Sequence, residues 1–429
     1  MLSPAGSSGS YKTKYSSRRP FAPKTLMSSR GQIDYLELGH AGLHSVQGAQ
    51  EIISMISSRP TVTKLILTQN ALRDDGCIML FKFLCSDLGR TKRISEIRLA
   101  KNGLEDRGLL AISEYIKRNE TLTELFLSAN AFQNSPPVIL PFTAALNTSH
   151  LERLSLSSNR QLSDRFVATF LPHLDSLHLR DLSLSLVGLT PLSVPDIISY
   201  VSSPRCRLHS FSLNGNSLGL QGVTDIIKAV EENNFGLGKL ELYSNQNGEL
   251  GLEDIEASRE IEQILKRTLI RNQYLKRQTE KEALTLLVFA RASLLRPKSK
   301  QDAHTASSTS TSHPSLPPIP SLPTELQLYT LSFLAPTLSS AQRIRIYKYA
   351  STFGTLPALL PRLTSNGGTR GVVCRPDPTP LIGLDKYKNT ACSDGCIKGI
   401  VCQKEEERRR WLKLVGCDSY EREVRGDLR

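Results

Sequence analysis

Hydrophobic positions recur along the chain with a long period. Leu38, Leu67, Leu99, Leu127, Leu156, Leu184, Leu213 and Leu242 follow one another at intervals of 29, 32, 28, 29, 28, 29 and 29 residues. Each sits in the same local frame. Two residues earlier stands Leu36, Leu65, Ile97, Leu125, Leu154, Leu182, Phe211 or Leu240, and five earlier Ile33, Val62, Ile94, Leu122, Leu151, Leu179, Leu208 or Leu237. Such alternation predicts a short strand whose leucines point inward while the residues between them face the other way. In six of the eight frames asparagine comes three residues after the anchor leucine, at Asn70, Asn102, Asn130, Asn159, Asn216 and Asn245. A side chain with donor and acceptor at that place suits bonding to the backbone where the strand turns. Further on, Leu109, Ile112 and Ile116, or Val223, Ile226, Ile227 and Val230, show the i, i+3, i+4 spacing of a helix packed on the strands.

This frame resembles the leucine-rich repeat, and its period of 28 to 29 residues is similar to that of the helical, ribonuclease-inhibitor-like subclass. The resemblance implies an α/β fold. It is a curved solenoid over residues 31–252, with parallel strands inside and helices outside, about eight repeats long, each burying its face only by stacking on the next. Gly76, Gly108 and Gly222, each nine residues past an anchor, predict a tight turn into the outer helix. Two outer segments look irregular. Ser135-Pro136-Pro137 and Pro141 predict a delayed or broken helix; Val187 replaces asparagine and is followed by Pro191 and Pro195, which predicts a second local loop.

The strand frame presents Tyr35, Glu37, Lys64, Arg98, Glu124, Phe126, Arg153, Asp181, Asn214 and Tyr243 on the concave surface. Their charges are mixed in sign. That pattern favours a protein partner over a polyphosphate, with Tyr35, Phe126 and Tyr243 as aromatic anchors.

Residues 253–296 contain no glycine or proline. Ile255, Ile261, Ile264, Leu265 and Leu269 make one helical stripe, and Ala283, Leu284, Leu287, Val288 and Leu295 another. This is the expected helical C-terminal cap of the solenoid, with Lys266, Arg267, Arg271, Lys276 and Arg277 on its solvated side. Residues 297–320 are rich in serine, threonine and proline, a linker composition. A small helical appendage is then expected over 321–362, opening on Ser321-Leu322-Pro323-Thr324-Glu325-Leu326 with Pro323 as its first helical residue and closing its first helix on Ser332-Phe333-Leu334. A second helix places Ile344, Tyr347 and Ala350 on one side. The stretch resembles the opening of an F-box. That resemblance implies that Leu322, Pro323, Leu326, Phe333 and Leu334 dock on a Skp-type adaptor of a cullin ubiquitin ligase, while leucine-rich repeats recruit the substrate. The tryptophan of that family's later helix is missing, and the module follows the repeats instead of preceding them. The bland alternative is a helical hairpin folded back on the solenoid. In the last segment, 363–429, Trp411, Leu412 and Val415 predict an amphipathic helix that docks elsewhere on the protein.

The net charge of +13 raises the question of nucleic acid, and its distribution answers it. Residues 1–30 hold six basic residues and no acid, a composition expected of a basic disordered tail. Residues 31–250 hold 20 basic and 22 acidic, and residues 251–429 hold 28 and 19. The repeats are nearly neutral, so neither a nucleic-acid groove nor a membrane surface is expected on them, and no apolar run approaches a membrane span. Without a secretory leader in the first thirty residues, a cytoplasmic or nuclear protein is expected.

No phosphate-binding glycine loop, nucleophile elbow or zinc-protease helix is present, so no catalytic residue, metal or cofactor is expected. The cysteines at 77, 85, 206, 374, 392, 396, 402 and 417 contain only one close pair, Cys392 and Cys396, where a structural zinc site uses two. His173 and His178 lie among leucines in structural positions. The repeats are also similar to those of Ran GTPase-activating proteins. That resemblance puts Arg73 and Arg107, just beyond the strand turns, at a rim where a small GTPase would bind, although a basic flank here replaces that family's acidic one.

Overall fold

The computed structural model describes residues 34–246, 252–295, 322–355 and 403–423. The expected tail, 1–30, the linker, 297–320, and Cys374, Cys392, Cys396 and Cys402 lie outside the described residues. Eight three-residue strands, β1 (Tyr35–Glu37), β2 (Lys64–Ile66), β3 (Glu96–Arg98), β4 (Glu124–Phe126), β5 (Arg153–Ser155), β6 (Asp181–Ser183), β7 (Ser210–Ser212) and β8 (Lys239–Glu241), form one parallel sheet in sequence order. Register follows the repeat frame: Leu36 aligns with Leu65, Leu65 with Ile97, and so on to Phe211 with Leu240. This stacked row is at most 3% exposed throughout. Helices run back outside it: α1 (Ser45–Ser58), α2 (Arg73–Cys85), α3 (Asp87–Thr91), α4 (Asp106–Ile116), α5 (Pro136–Asn147), α6 (Ser163–His173), α7 (Val194–Val201) and α8 (Gly219–Asn233). The architecture is an α/β leucine-rich-repeat solenoid. Its one long interval, 32 residues, is the repeat that carries the extra turn α3.

Each strand ends in the same way. The residue two beyond every anchor leucine, from His40 and Gln69 through Ala129 and Leu186 to Ser244, is left-handed, with φ between +54° and +67°. Only Gly215 among the eight is glycine. The asparagine that follows repairs the turn. Asn130 donates to the Leu99 and Leu127 carbonyls at 3.1 and 2.9 Å, and its Oδ1 accepts from the amides of Asn102 and Leu104 at 3.0 and 3.2 Å. Asn159 in turn accepts from the Asn130 amide at 2.8 Å, so the asparagines form a ladder joining repeat to repeat.

Several expectations are corrected. Gly76, Gly108 and Gly222 lie inside α2, α4 and α8 and do not make the turn; left-handed Ser45, Arg73, Ser163 and Gly219 begin helices instead. The glycines permit close helix packing. A Cβ on Gly76 would sit 2.4 Å from the Ser45 carbonyl oxygen, and one on Gly222 would sit 2.7 Å from Val194 Cγ2. The proline-rich helix is delayed, as expected, but not broken: α5 starts on Pro136, nine residues past its anchor where α2, α4, α6 and α8 start six or seven past theirs, and runs through Pro141. Burying Ile139, Phe142 and Leu146 completely outweighs the ~3 kcal/mol that a mid-helix proline costs. After Val187 the expected local loop is present and is held by side-chain bonds. Asn216 Oδ1 accepts from the amides of Val187, Gly188 and Leu189 at 3.0, 3.1 and 3.2 Å, and a 3₁₀ turn, Pro191–Ser193, leads into α7.

The two apolar stripes of the cap belong to one 43-residue helix, α9 (Leu252–Leu294), about 65 Å long at 1.5 Å per residue. Its first half closes the solenoid: Ile261, Ile264, Leu265 and Leu269 join the repeat core, and Asn272 donates to the Asn234 and Leu237 carbonyls at 3.0 and 2.8 Å. The cap's basic residues are not simply solvated. Arg267 pairs with Glu231 at 2.7 Å, and Arg271 donates to the Glu231 carbonyl at 2.7 Å while lying over the Phe235 ring. The second half of α9 belongs to another core, built with α10 (Thr324–Ser332), α11 (Ser340–Ala350) and α12 (Gln403–Leu414). In it Leu286, Leu287, Leu331, Ile346 and Trp411 are at most 3% exposed. The appendage thus folds on α9, not back on the strands. Ile346 faces inward, whereas Ile344 stands 51% exposed. Trp411 meets Tyr349 edge to face at 5.9 Å, which gives the amphipathic last helix its docking place.

Candidate protein-binding surface

All ten expected concave residues lie on the strands or directly after them. The sheet gathers eight of them into two groups. At the N-terminal end, Glu96 is buried beneath Lys64, at 3.4 Å, and Arg98, at 2.5 Å, and the Arg98 guanidinium lies 4.6 Å over the Phe126 ring. Burial pulls the Glu96 carboxyl up, but the two cations outweigh it and hold the group below its ordinary value. Phe126 is therefore half-covered by a charge that is itself neutralised. Glu124 accepts from Arg153 on the neighbouring strand, the expected outcome for opposite charges in cross-strand register.

At the C-terminal end, Glu241 accepts from Lys239 at 2.6 Å, Ser212 at 2.6 Å and Asn214 at 3.2 Å, which keeps its carboxyl below the usual range. Asn214 Oδ1 also accepts from the Tyr243 amide at 2.9 Å, leaving the Tyr243 side chain 68% exposed at the edge of the face. Asp181 faces the same strip; burial raises its carboxyl, and a hydrogen bond from Ser210 only partly offsets this. Tyr35 and Glu37 lie on β1 at the N-terminal edge of the sheet, Tyr35 in cross-strand register with Lys64.

Between the two ends the repeat frame conceals a third group. Ser128, Ser155, Ser157 and Ser183 form a hydroxyl ladder with spacings of 2.9, 3.2 and 2.7 Å. Ser128 and Ser157 lie one residue beyond their anchors, a position the LxxLxL pattern leaves unspecified, so the pattern alone does not find them. The face is thus a neutral, hydroxyl-rich centre flanked by two internally paired charge clusters, each with an aromatic ring beside it.

The other candidates lie apart. Arg107 makes an exposed 3.2 Å ion pair with Asp75, and Arg73 begins α2 on the same rim. His178 stacks near His150 at 4.1 Å, and burial with the neighbouring His150 lowers its affinity for a proton. The buried thiols of Cys77 and Cys417 are pushed up by burial, Cys417 to about 12, so they are poor nucleophiles. Among the described residues no cluster of histidine, cysteine and carboxylate side chains suits a metal, and no helix is long and apolar enough to cross a membrane. On α10 and at its C-cap, Leu326, Tyr329 and Phe333 stand 50, 64 and 66% exposed. The helix starts at Thr324, with Pro323 just outside it as the cap residue, its carbonyl accepting from Gln327 at 3.0 Å; Gln327 also donates to the Leu322 carbonyl at 2.7 Å.

No family model matches the chain. The human NACHT, LRR and PYD domains-containing protein 13 is 27% identical over 251 residues, covering 52% of this chain and 23% of that protein. The rat NACHT, LRR and PYD domains-containing protein 3 is 28% identical over 170 residues, covering 38% of this chain and 16% of that protein. The chain spans less than a quarter of the length of these relatives. A chain in the crystal structure of the yeast Rad7 and Elc1 complex shares 14% identity at a TM-score of 0.36, over 52% of this chain and 51% of that one.

Proposed function

We propose that this protein is a non-catalytic interaction scaffold that recruits a protein on its concave strands and presents a second docking surface on α10. The neutral centre and paired charges of the strand face suit a protein partner, because complementary surfaces of mixed sign give specificity without a large net field. The period of the repeats and the helix in their outer arcs support assignment to the ribonuclease-inhibitor-like subclass.

One observation carries the second surface. The segment with the F-box-like Leu322-Pro323-x-Glu325-Leu326 pattern turns Leu326, Tyr329 and Phe333 outward, while Leu331 packs in the second core. Apolar side chains at that exposure on one short helix are unfavourable in water without a partner. The partner proposed is a Skp-type adaptor, which makes the chain a substrate receptor of a cullin-type ubiquitin ligase. The intact protein should co-purify with the adaptor, and Leu326→Asp with Phe333→Asp should abolish capture without lowering the melting temperature. Absence of capture by the intact protein removes the ligase reading. The scaffold reading is tested separately, by loss of a concave-face partner in Phe126→Ala and Arg98→Ala.

A further inference from the structure

A second surface differs sharply from the neutral strand face. Where α9 meets α12, above the loop leading into β7, the structure leaves a recess of about 620 Å³. Lys276, Arg277 and Lys281 line one wall, and Arg408, Arg409 and Lys413 line the other. On α9 the spacing is i, i+1, i+5 and on α12 it is i, i+1, i+5, so each helix turns a single basic face into the recess. The two cationic faces come from segments of the chain that the sequence keeps far apart.

Two carboxylates, Glu280 and Asp418, share the lining, and both are engaged. Glu280 pairs with Lys276 at 3.0 Å, and Asp418 pairs with Arg180 at 3.0 Å. Lys413 reaches Glu152 at 2.6 Å. The side chains of Arg277 and Lys281 make no hydrogen bond or ion pair with a described residue. Like charges on facing helices repel, and here they are brought together by the apolar contact of the second core, in which Leu284 and Leu412 pack. Arg277 and Lys281 therefore bring positive charge to the recess that no described residue pairs with, in a concavity that concentrates the field. His209 is also part of the lining, with its Nε2 buried and without a hydrogen-bond partner among the described residues. Burial, with Lys276 and Arg180 nearby, keeps that ring neutral, so it adds no charge to the recess.

We infer that this recess binds a compact, multiply phosphorylated small molecule, with Arg277, Lys281 and Arg409 among its principal contacts. Donors spread over two walls fit an anion with several phosphate groups better than a single phosphate, and Arg and Lys both bind phosphate oxygens strongly. The volume lies in the small-molecule range and is too confined for a duplex. Occupation ties α12 to α9 and so stabilises the second core.

The full chain should bind inositol hexakisphosphate, used as the probe, saturably at one site by calorimetry in physiological salt. The double variant Arg277→Gln and Lys281→Gln should lose at least tenfold in affinity, and so should Arg409→Gln. Lys228→Gln, on the exposed side of α8, should bind as the parent does. Melting curves without ligand show that each variant is folded; a variant that melts early is replaced by Lys281→Gln alone. Absence of saturable binding overturns the inference, and so does an equal loss in Lys228→Gln or equal affinity for inositol hexasulfate. Sedimentation with phosphoinositide-containing vesicles separates two sources of the same chemistry: co-sedimentation assigns the site to a lipid headgroup, and solution binding without it assigns a soluble ligand.

Discussion

Arg180 and Asp418, separated by 238 positions in the chain, form a shielded ion pair with Nε to Oδ2 at 3.0 Å. Around it the Lys276 ammonium donates to the Asp418 carbonyl at 2.5 Å, and Tyr420 meets Phe235 edge to face. These contacts clasp the last described segment to the sixth and seventh repeats, so solenoid and second core are joined along α9 and again here.

Removing one partner of a shielded pair strands the other charge. Arg180→Ala is expected to lower unfolding stability by about 3 kcal/mol, at the low end for a broken buried pair. Urea titration checks this; a loss under about 1 kcal/mol would show that Asp418 is solvated in the folded protein, as exposed pairs contribute no more than that.

Acid should destabilise the joint in two windows. Burial foremost, then Lys276 and Arg180, lowers the proton affinity of His209. Above its ordinary value of about 6.5 the folded and unfolded rings are both neutral; below it the unfolded chain takes up a proton that the buried ring refuses, and stability falls. Asp418 is pulled up by burial but held lower by Arg180, which also donates to it, and by Lys276, and these outweigh the burial. Its contribution persists at neutral pH and is lost as pH drops below about 3.9 toward its folded value. His209→Gln should flatten the upper window of a melting-temperature profile and leave the lower one. An unchanged profile between pH 7 and 5 would falsify the assignment to His209.

Asn216 serves three amides with a single oxygen. Asn216→Ala leaves these donors, and the Leu184 and Leu213 carbonyls it bonds at 2.9 Å, with fewer partners. A loss of about 3 kcal/mol or more is expected, since each buried group left unsatisfied costs ~1–3 kcal/mol. Asn214→Ala, on the open face, should cost much less, and equal losses in the two would contradict the ladder as a source of stability.

The left-handed turn makes a prediction of opposite signs at one site. At Ala129, φ +56°, valine is expected to destabilise by about 1–2 kcal/mol and glycine to be neutral or stabilising. Chemical denaturation of the pair measures it, and valine as stable as glycine would mean the turn relaxes out of the left-handed region.

Close helix packing predicts that Gly76→Ala costs more than glycine-to-alanine normally gains within a helix, because its Cβ meets the Ser45 backbone at 2.4 Å. A destabilisation of about 1–3 kcal/mol is expected from overpacking. Thermal melting checks it against Gly354→Ala, whose added Cβ meets nothing within 4 Å. Equal melting temperatures for the two variants would mean that α1 and α2 separate at little cost.

The strands, their register and the asparagine ladder were legible in the residues because each depends on neighbours at a fixed repeat distance. Leu65 aligns with Ile97 by the same rule that aligns Leu154 with Leu182. The concave placement of Phe126 and Arg98 follows from that period too, but the 4.6 Å contact between them does not, since it needs the lateral stacking of two particular strands. The left-handed residues were hidden because seven of eight are not glycine: the asparagine and the stacking impose that conformation from outside the residue. Gly76 carried a visible signal with the wrong cause, as a missing side chain can mark either a turn or a near neighbour.

By itself the sequence determined the solenoid, its inward face and the near-neutral charge of its strands, because a repeated local pattern repeats its own environment. Only the tertiary structure decided that α9 is one helix shared by two cores, that the appendage packs on it, and that basic faces from α9 and α12 meet around His209. Those contacts join segments with no common period, and their geometry is set by shape and burial when the chain closes on itself.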